Sequence, residues 1–289
     1  MTQMLPLNKL VALAEANEAH AYAHLVQSAA MEGVGVAMEG SLCLLNAPRL
    51  PSALVLNRVL GWGLDEVLYE ASLERFAAAY GGRGFAIELS PPAATPQVLG
   101  WLVARRLRKL SSSQVLVREA AAPAPRYEAW ARATGLRVEA VAPEAAHHLA
   151  RISADNFRLP PLLREIIEAG MRGPRWRRWL AFDGDEPVAG SLTCIEGEVA
   201  WFGWASVLPS HRGRWVQSGL VARQLEDAAA AGCRWITTET MQSTQRRPDA
   251  AYMQMRRYGF ADAYLRPAYV YAPPRPVSSG LSSKVSAAA

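Results

Sequence analysis

The sequence is poor in the features that fix a function quickly. It has three cysteines, Cys43, Cys194 and Cys233, scattered and odd in number. Neither disulfide spacing nor metal-ligand spacing appears, so the expectation is a reducing cytoplasm and no metal. No apolar run approaches the roughly 20 residues that cross a bilayer. The opening MTQMLPLNKLVALAEANEAHAYAHL is amphipathic and interrupted by charge, unlike a signal sequence, so no membrane partner is expected. No recognisable nucleic-acid motif is present. The run RGPRWRR at 172–178 mixes base and aromatic, which can bind nucleic acid, but a solvated corner is the commoner cause and no such partner is expected. His20 and His24 have helical i, i+4 spacing but no third ligand nearby. His147 and His148 are adjacent, about 100° apart on a helix, and make a poor metal pair.

What is present is ordinary globular material. Apolar residues make up 51% and charged residues 20%, enough for a sizeable core. A net charge of +5 suits an anionic ligand without demanding a polyanion. At 289 residues the length fits about two domains. Helix is expected over 8–30, then strands in GVAMEGSLCLLN and ALVLNRVLGWG, and a helix over 65–82 capped by Asp65 and stopped by Gly81-Gly82. GFAIELSP reads as a strand, ATPQVLGWLVARRLRK as a helix and SSQVLVREA as a strand. A break at Pro123 and Pro125 leads to helices at 143–157 and 160–170. Three strands follow, with turns at Asp183-Gly184-Asp185 and Glu196-Gly197. Trp201 and Trp204 stand an odd number of residues apart, so strand alternation would face them oppositely. The ending PRPVSSGLSSKVSAAA reads as a disordered tail.

The segment from Ala205 to Phe260 carries the most information. A strand runs into a short basic turn, then a long amphipathic helix, a second strand and a helix closing on Gly-Phe. A turn opening into a helix leaves several N–H groups without partners and pointed at one spot, a place for phosphate. Arg212 and Arg214 add positive charge there, and His211 is either a further phosphate contact or a solvated turn residue.

The order Val207-Leu208-Pro209, His211-Arg212-Gly213-Arg214, the helix SGLVARQLEDAAAAG and the closing Tyr258-Gly259-Phe260 resembles the acyl-CoA-binding core of the GNAT superfamily of N-acetyltransferases, most specifically over about 178–272. The resemblance implies an α/β protein with a mixed α+β sheet. Asn57-Arg58-Val59-Leu60-Gly61, Thr238-Glu239-Thr240 and Tyr264-Leu265-Arg266-Pro267 resemble bacterial two-part members, in which a partial GNAT-like half precedes a full one. The expected organisation is tandem: a degenerate GNAT-like or cap domain at 1–136, a GNAT domain carrying the acyl-CoA site at 137–275, and a tail at 276–289. The first half has no basic turn before a helix.

The resemblance also implies the site. Acetyl-CoA would be the cosubstrate, held by Val207, Leu208, Arg212, Gly213, Arg214, Trp215, Val216, Gln217, Ser218 and Gln254. Two departures stand out. Trp215 replaces the first pattern glycine, which elsewhere allows positive φ and close approach of backbone to ligand. Met255 replaces the tyrosine that often protonates the leaving thiolate. Glu239 is the candidate base and Tyr252, one turn before Met255, the candidate acid. Glu239 could instead pair with an arginine such as Arg246 or Arg247. The implied activity is direct acetyl transfer to an amine of a small-molecule or amino-acid-like acceptor. The alternatives are a catalytically inactive scaffold that senses acyl-CoA or binds a partner, and a cleft repurposed for another reaction. A homodimer stays open.

Overall fold

Apolar runs punctuated by glycine and proline fold into two copies of one strand–helix–strand–helix–strand unit. The computed structural model describes residues 6–124 and 126–272; the expected tail at 276–289 lies outside the described residues. The first half contains α1 (Leu7–Ala29), the hairpin β1 (Gly35–Glu39) and β2 (Leu42–Asn46), then β3 (Arg58–Leu60), α2 (Ser72–Ala79), β4 (Phe85–Glu88), α3 (Pro96–Ala104) and β5 (Arg108–Glu119). After α4 (Tyr127–Thr134) come β6 (Arg137–Val141), α5 (Ala146–Phe157), α6 (Pro161–Met171), β7 (Trp176–Asp183), β8 (Glu186–Glu196) and β9 (Val199–Val207). The chain continues through α7 (Val216–Ala230), β10 (Trp235–Met241), α8 (Ala250–Arg257) and β11 (Ala261–Tyr271).

All of these strands join one sheet in the order β1-β2-β3-β4-β11-β5-β10-β9-β8-β7-β6. The order reads nearly the same from either end. β3 and β4 pair in parallel, as do β9 and β10, while β5 and β11 meet antiparallel at the centre. Each half gives up its last strand: β11 inserts between β4 and β5, and β5 between β10 and β11. The expected boundary at 136/137 falls between α4 and β6, but the sheet does not divide there. α1 also crosses the seam. Its Asn17 amide donates to the Val199 carbonyl of β9 at 2.9 Å. Its Tyr22 and Leu25 share a core with Ile166, Ile167 and Trp201 of the second half.

Local departures have local causes. The helix expected over 65–82 forms only as α2, and Asp65 does not cap it, because its carboxylate accepts from the Ser41 amide at 3.0 Å. The strand expected in ALVLNRVLGWG shrinks to β3. Asn57 accepts from the Ala47 amide and donates to the Leu50 carbonyl, bonds that hold a loop instead. α4 forms inside the expected connection and ends at Gly135, whose φ is 70°.

Candidate functional site

β9 and β10 pair only over Val199–Phe202 and Trp235–Thr238. At the last pair the Thr238 hydroxyl donates to the Phe202 carbonyl at 2.9 Å, closing the ladder with a side chain. Beyond it β9 carries a register shift against β8, and Trp204 takes a φ of +55°. A bulge of this kind bends and twists its strand, and the two strands part. The Leu208 amide donates to the Val188 carbonyl of β8 at 2.9 Å. Successive N–H groups on a strand alternate sides, so the Val207 N–H faces the gap. The bulge also resets alternation: Trp201 and Trp204 both meet Tyr22, at ring-centroid distances of 5.6 and 6.3 Å, instead of facing opposite sides.

The gap opens into a cleft of about 1000 Å³ that runs to the turn before α7. None of the described residues accepts from the amides of Gly213, Trp215, Val216 and Gln217. Bare amides at a helix start make an anion site, and the helix dipole adds to it. Gly213 and Trp215 both have positive φ, 78° and 59°. For a tryptophan this left-handed backbone costs about 1–2 kcal/mol. Trp215 thus takes up the conformation expected of the glycine it replaces. Arg212 lines the cleft and donates to the Asn156 side chain at 2.5 Å. Arg214 does not line it. Its guanidinium is 2.9 Å from Asp183, which His211 also contacts at 3.2 Å. The hydrogen bond from Arg214, then that from His211, holds the Asp183 carboxyl below its ordinary value.

The other expected residues divide in the same way. Val207, Gly213, Trp215, Val216, Gln217, Gln254 and Glu239 line the cleft. Leu208 instead is half-buried and packs against the two core clusters that hold α5 and α7 residues. Ser218 is bonded to the Tyr258 hydroxyl, which also accepts from Gln254 at 3.1 Å. Tyr252 does not line the cleft: its hydroxyl donates to Asp262 at 3.2 Å, and Asp262 does not line it either. Met255 lines the cleft where the tyrosine was missed. Arg257, which the sequence did not single out, also lines it, with its guanidinium 6.0 Å from the Trp215 ring centroid. Its signal was its place one turn after Met253 on the same face of a helix that borders the site.

Glu239 pairs with Arg266, not with Arg246 or Arg247. The pair belongs to a buried cluster that joins the halves. Arg266 also meets Glu15 at 3.3 Å, Glu18 at 2.8 Å and Glu88 at 2.9 Å, and Arg58 pairs with Glu88. The Tyr264 hydroxyl donates to Glu15 at 2.5 Å. Four carboxylates face two guanidiniums. Burial pushes the Glu15 and Glu18 carboxyls up despite Arg266. Burial acts on Glu88 in the same sense, but Arg58 and Arg266 outweigh it and hold that carboxyl down. Three of these oxygens, from Glu18, Glu88 and Glu239, lie within 4.8 Å of one another, but guanidiniums already occupy the space between. Only Glu239 of this cluster's carboxylates reaches the cleft. The three segments Asn57–Gly61, Thr238–Thr240 and Tyr264–Pro267 therefore meet at one point through Arg58, Glu239 and Arg266.

No family model matches the chain, and no curated protein matches it in sequence. Solved structures do match in shape. A GCN5-related N-acetyltransferase from Kribbella flavida aligns with a TM-score of 0.58 over 91% of this chain and 96% of its own, at 18% identity. A tandem GNAT protein from the clavulanic acid biosynthesis pathway aligns with a TM-score of 0.57 over 93% and 96%, at 14% identity. The chain has the GNAT fold. A third neighbour, a GCN5-related N-acetyltransferase from Sphaerobacter thermophilus, aligns with a TM-score of 0.53 over 69% of this chain and 63% of its own, at 16% identity. Of the two GNAT-like units here, the second alone has the bulged, parted strand pair followed by a basic turn. The first-half connection from β3 to α2, GWGLDEVLYEA, has no Lys or Arg and three acidic residues, so that unit offers a phosphate nothing comparable. Among the described residues no helix is long and apolar enough to cross a membrane.

Proposed function

We propose that the protein transfers an acyl group from a coenzyme A thioester to an amine of a small acceptor by direct attack. One observation carries the reading: the parted end of β9, with the Val207 N–H turned into the gap, shares a single cleft with the bare amides of the α7 turn. The turn amides and Arg212 would hold the pyrophosphate. The Val207 N–H would hydrogen-bond the thioester oxygen as charge grows on it, the largest electrostatic help such a site can give. Glu239 is the one carboxylate of the buried cluster in the cleft, and would hold the amine and take its proton. Holding both reactants in one cleft supplies the rest through effective molarity.

The lack of a tyrosine at 255 does not defeat the reading. A thiol with an ordinary pKa near 8.5 leaves as thiolate at neutrality for about 2 kcal/mol, and solvent can then protonate it. The same lack does favour a second reading, a catalytically silent scaffold that binds acyl-CoA. Thiol release from acetyl-CoA, followed over a panel of primary amines, separates the two. The enzyme reading expects turnover that Glu239→Gln lowers about 100-fold or more in kcat with acetyl-CoA affinity kept. Binding without turnover against any amine supports the scaffold.

A further inference from the structure

Trp215 stands where burial returns least for a strained backbone. Its φ is +59° and 59% of its surface is exposed. The strain is held from outside the turn. Trp130 of α4 donates its indole N–H to the Trp215 carbonyl at 2.9 Å. The Trp130 ring lies against Gly219 of α7, where a Cβ would come within 2.3 Å of it. The fold therefore pins the backbone that carries this indole at the cleft, beside the free amides of Val216 and Gln217. The exposed Arg257 lies at 6.0 Å from the ring centroid. Backbone strain that is pinned by its surroundings and not repaid by burial marks a functional position.

We propose that Trp215, with Arg257 beside it, is a stacking platform for the adenine of the acyl donor and selects nucleotide-bearing thioesters over those carried on phosphopantetheine alone. The inference rests on the acyl-transfer reading and adds donor recognition to it. A pyrophosphate on the turn amides leaves the attached adenosine at the outer rim, where the indole is. Every purine presents a flat π-face, and stacking on an aromatic side chain needs no hydrogen-bond readout. The Arg257 guanidinium supplies charge for the nucleotide's ribose phosphate and can itself stack. A glycine at 215 would leave the base with nothing to rest on.

Titration of CoA, 3′,5′-ADP and 4′-phosphopantetheine into the full-length protein, W215G and W215F tests this. The platform predicts that W215G weakens CoA and 3′,5′-ADP about tenfold, some 1.4 kcal/mol. It also predicts that W215F keeps most of the affinity and that 4′-phosphopantetheine is indifferent to both changes. The thermal midpoint of W215G should rise, because glycine relaxes the left-handed backbone, so lost affinity cannot be put down to unfolding. CoA binding that is unchanged or tighter in W215G would overturn the platform and leave the acyl-transfer reading standing. An equal loss for 4′-phosphopantetheine would overturn it too, since the tryptophan would then act on the turn and not on the base. A wild-type protein that binds neither CoA nor 3′,5′-ADP overturns both.

Discussion

Asp183 sets how much positive charge the turn before α7 presents. It ties back Arg214 and holds His211, which lines the cleft together with Arg212, Arg257 and the turn backbone. Its carboxyl is held low by those same partners, so it stays charged at neutral pH. Asp183→Asn should therefore free two basic groups and tighten CoA binding a few-fold, with the gain shrinking at high salt because exposed charges are screened. Calorimetric titration at two salt concentrations checks this, and weaker binding would show that the Asp183 contacts hold the turn in shape. At this scale the sequence was informative about residue type and less so about direction. The bare turn follows from a basic turn that opens into a helix, whereas Gly213 and Glu239 entered as what the family resemblance implies. The bonding of Tyr252 to Asp262 and the engagement of Ser218 by Tyr258 could not be read, because side-chain direction depends on partners distant in the chain.

Among the elements, α4 and α7 form the mount on which the turn sits. The Trp130 ring fills the space over Gly219 and its indole N–H holds the Trp215 carbonyl. Gly219→Ala would push a methyl into that ring. Overpacking of this kind typically costs about 1–3 kcal/mol, and displacing Trp130 would release the turn. The expected result is a lowered thermal midpoint together with weaker CoA binding. A change in stability alone would mean that the turn holds its form without α4. The strand–turn–helix–strand order from β9 to β10 was legible because each piece has a local period and a local stop signal. α4 was missed because its eight residues lie within a stretch that two prolines had marked as connection. The bulge at Trp204 was hidden for another reason: an added residue breaks strand alternation without leaving any composition of its own.

Over the whole molecule, the reciprocal exchange of β5 and β11 places the charged cluster at the centre of the sheet. Nothing in the local sequence announces the exchange, because Val115 and Tyr264 pair from about half the chain apart. The cluster left a fainter trace. Glu15 and Glu18 fall on the buried stripe of α1 with Val11, Tyr22 and Leu25, and carboxylates on an apolar stripe need buried partners. Glu18 is held well above its ordinary carboxyl value, first by burial and then by the charges of Glu239 and Glu88, against the pull of Arg266 and Arg58. The folded chain thus binds this proton more tightly than the unfolded chain does. That stabilisation is complete below about pH 4.5 and is lost as pH rises through the folded value. Glu18→Gln keeps an acceptor for Arg266 and has no proton to lose, so its thermal midpoint should fall less than the wild type's above pH 4.5. Parallel curves would place the proton elsewhere in the cluster.

The central claim is that the parted strands and the α7 turn together bind an acyl-CoA. Isothermal titration of acetyl-CoA into the wild type and Arg212→Ala tests it most directly. The account predicts binding by the wild type and a loss of about tenfold or more in the variant, the scale of one charge-assisted contact. No binding by the wild type at millimolar ligand would contradict it.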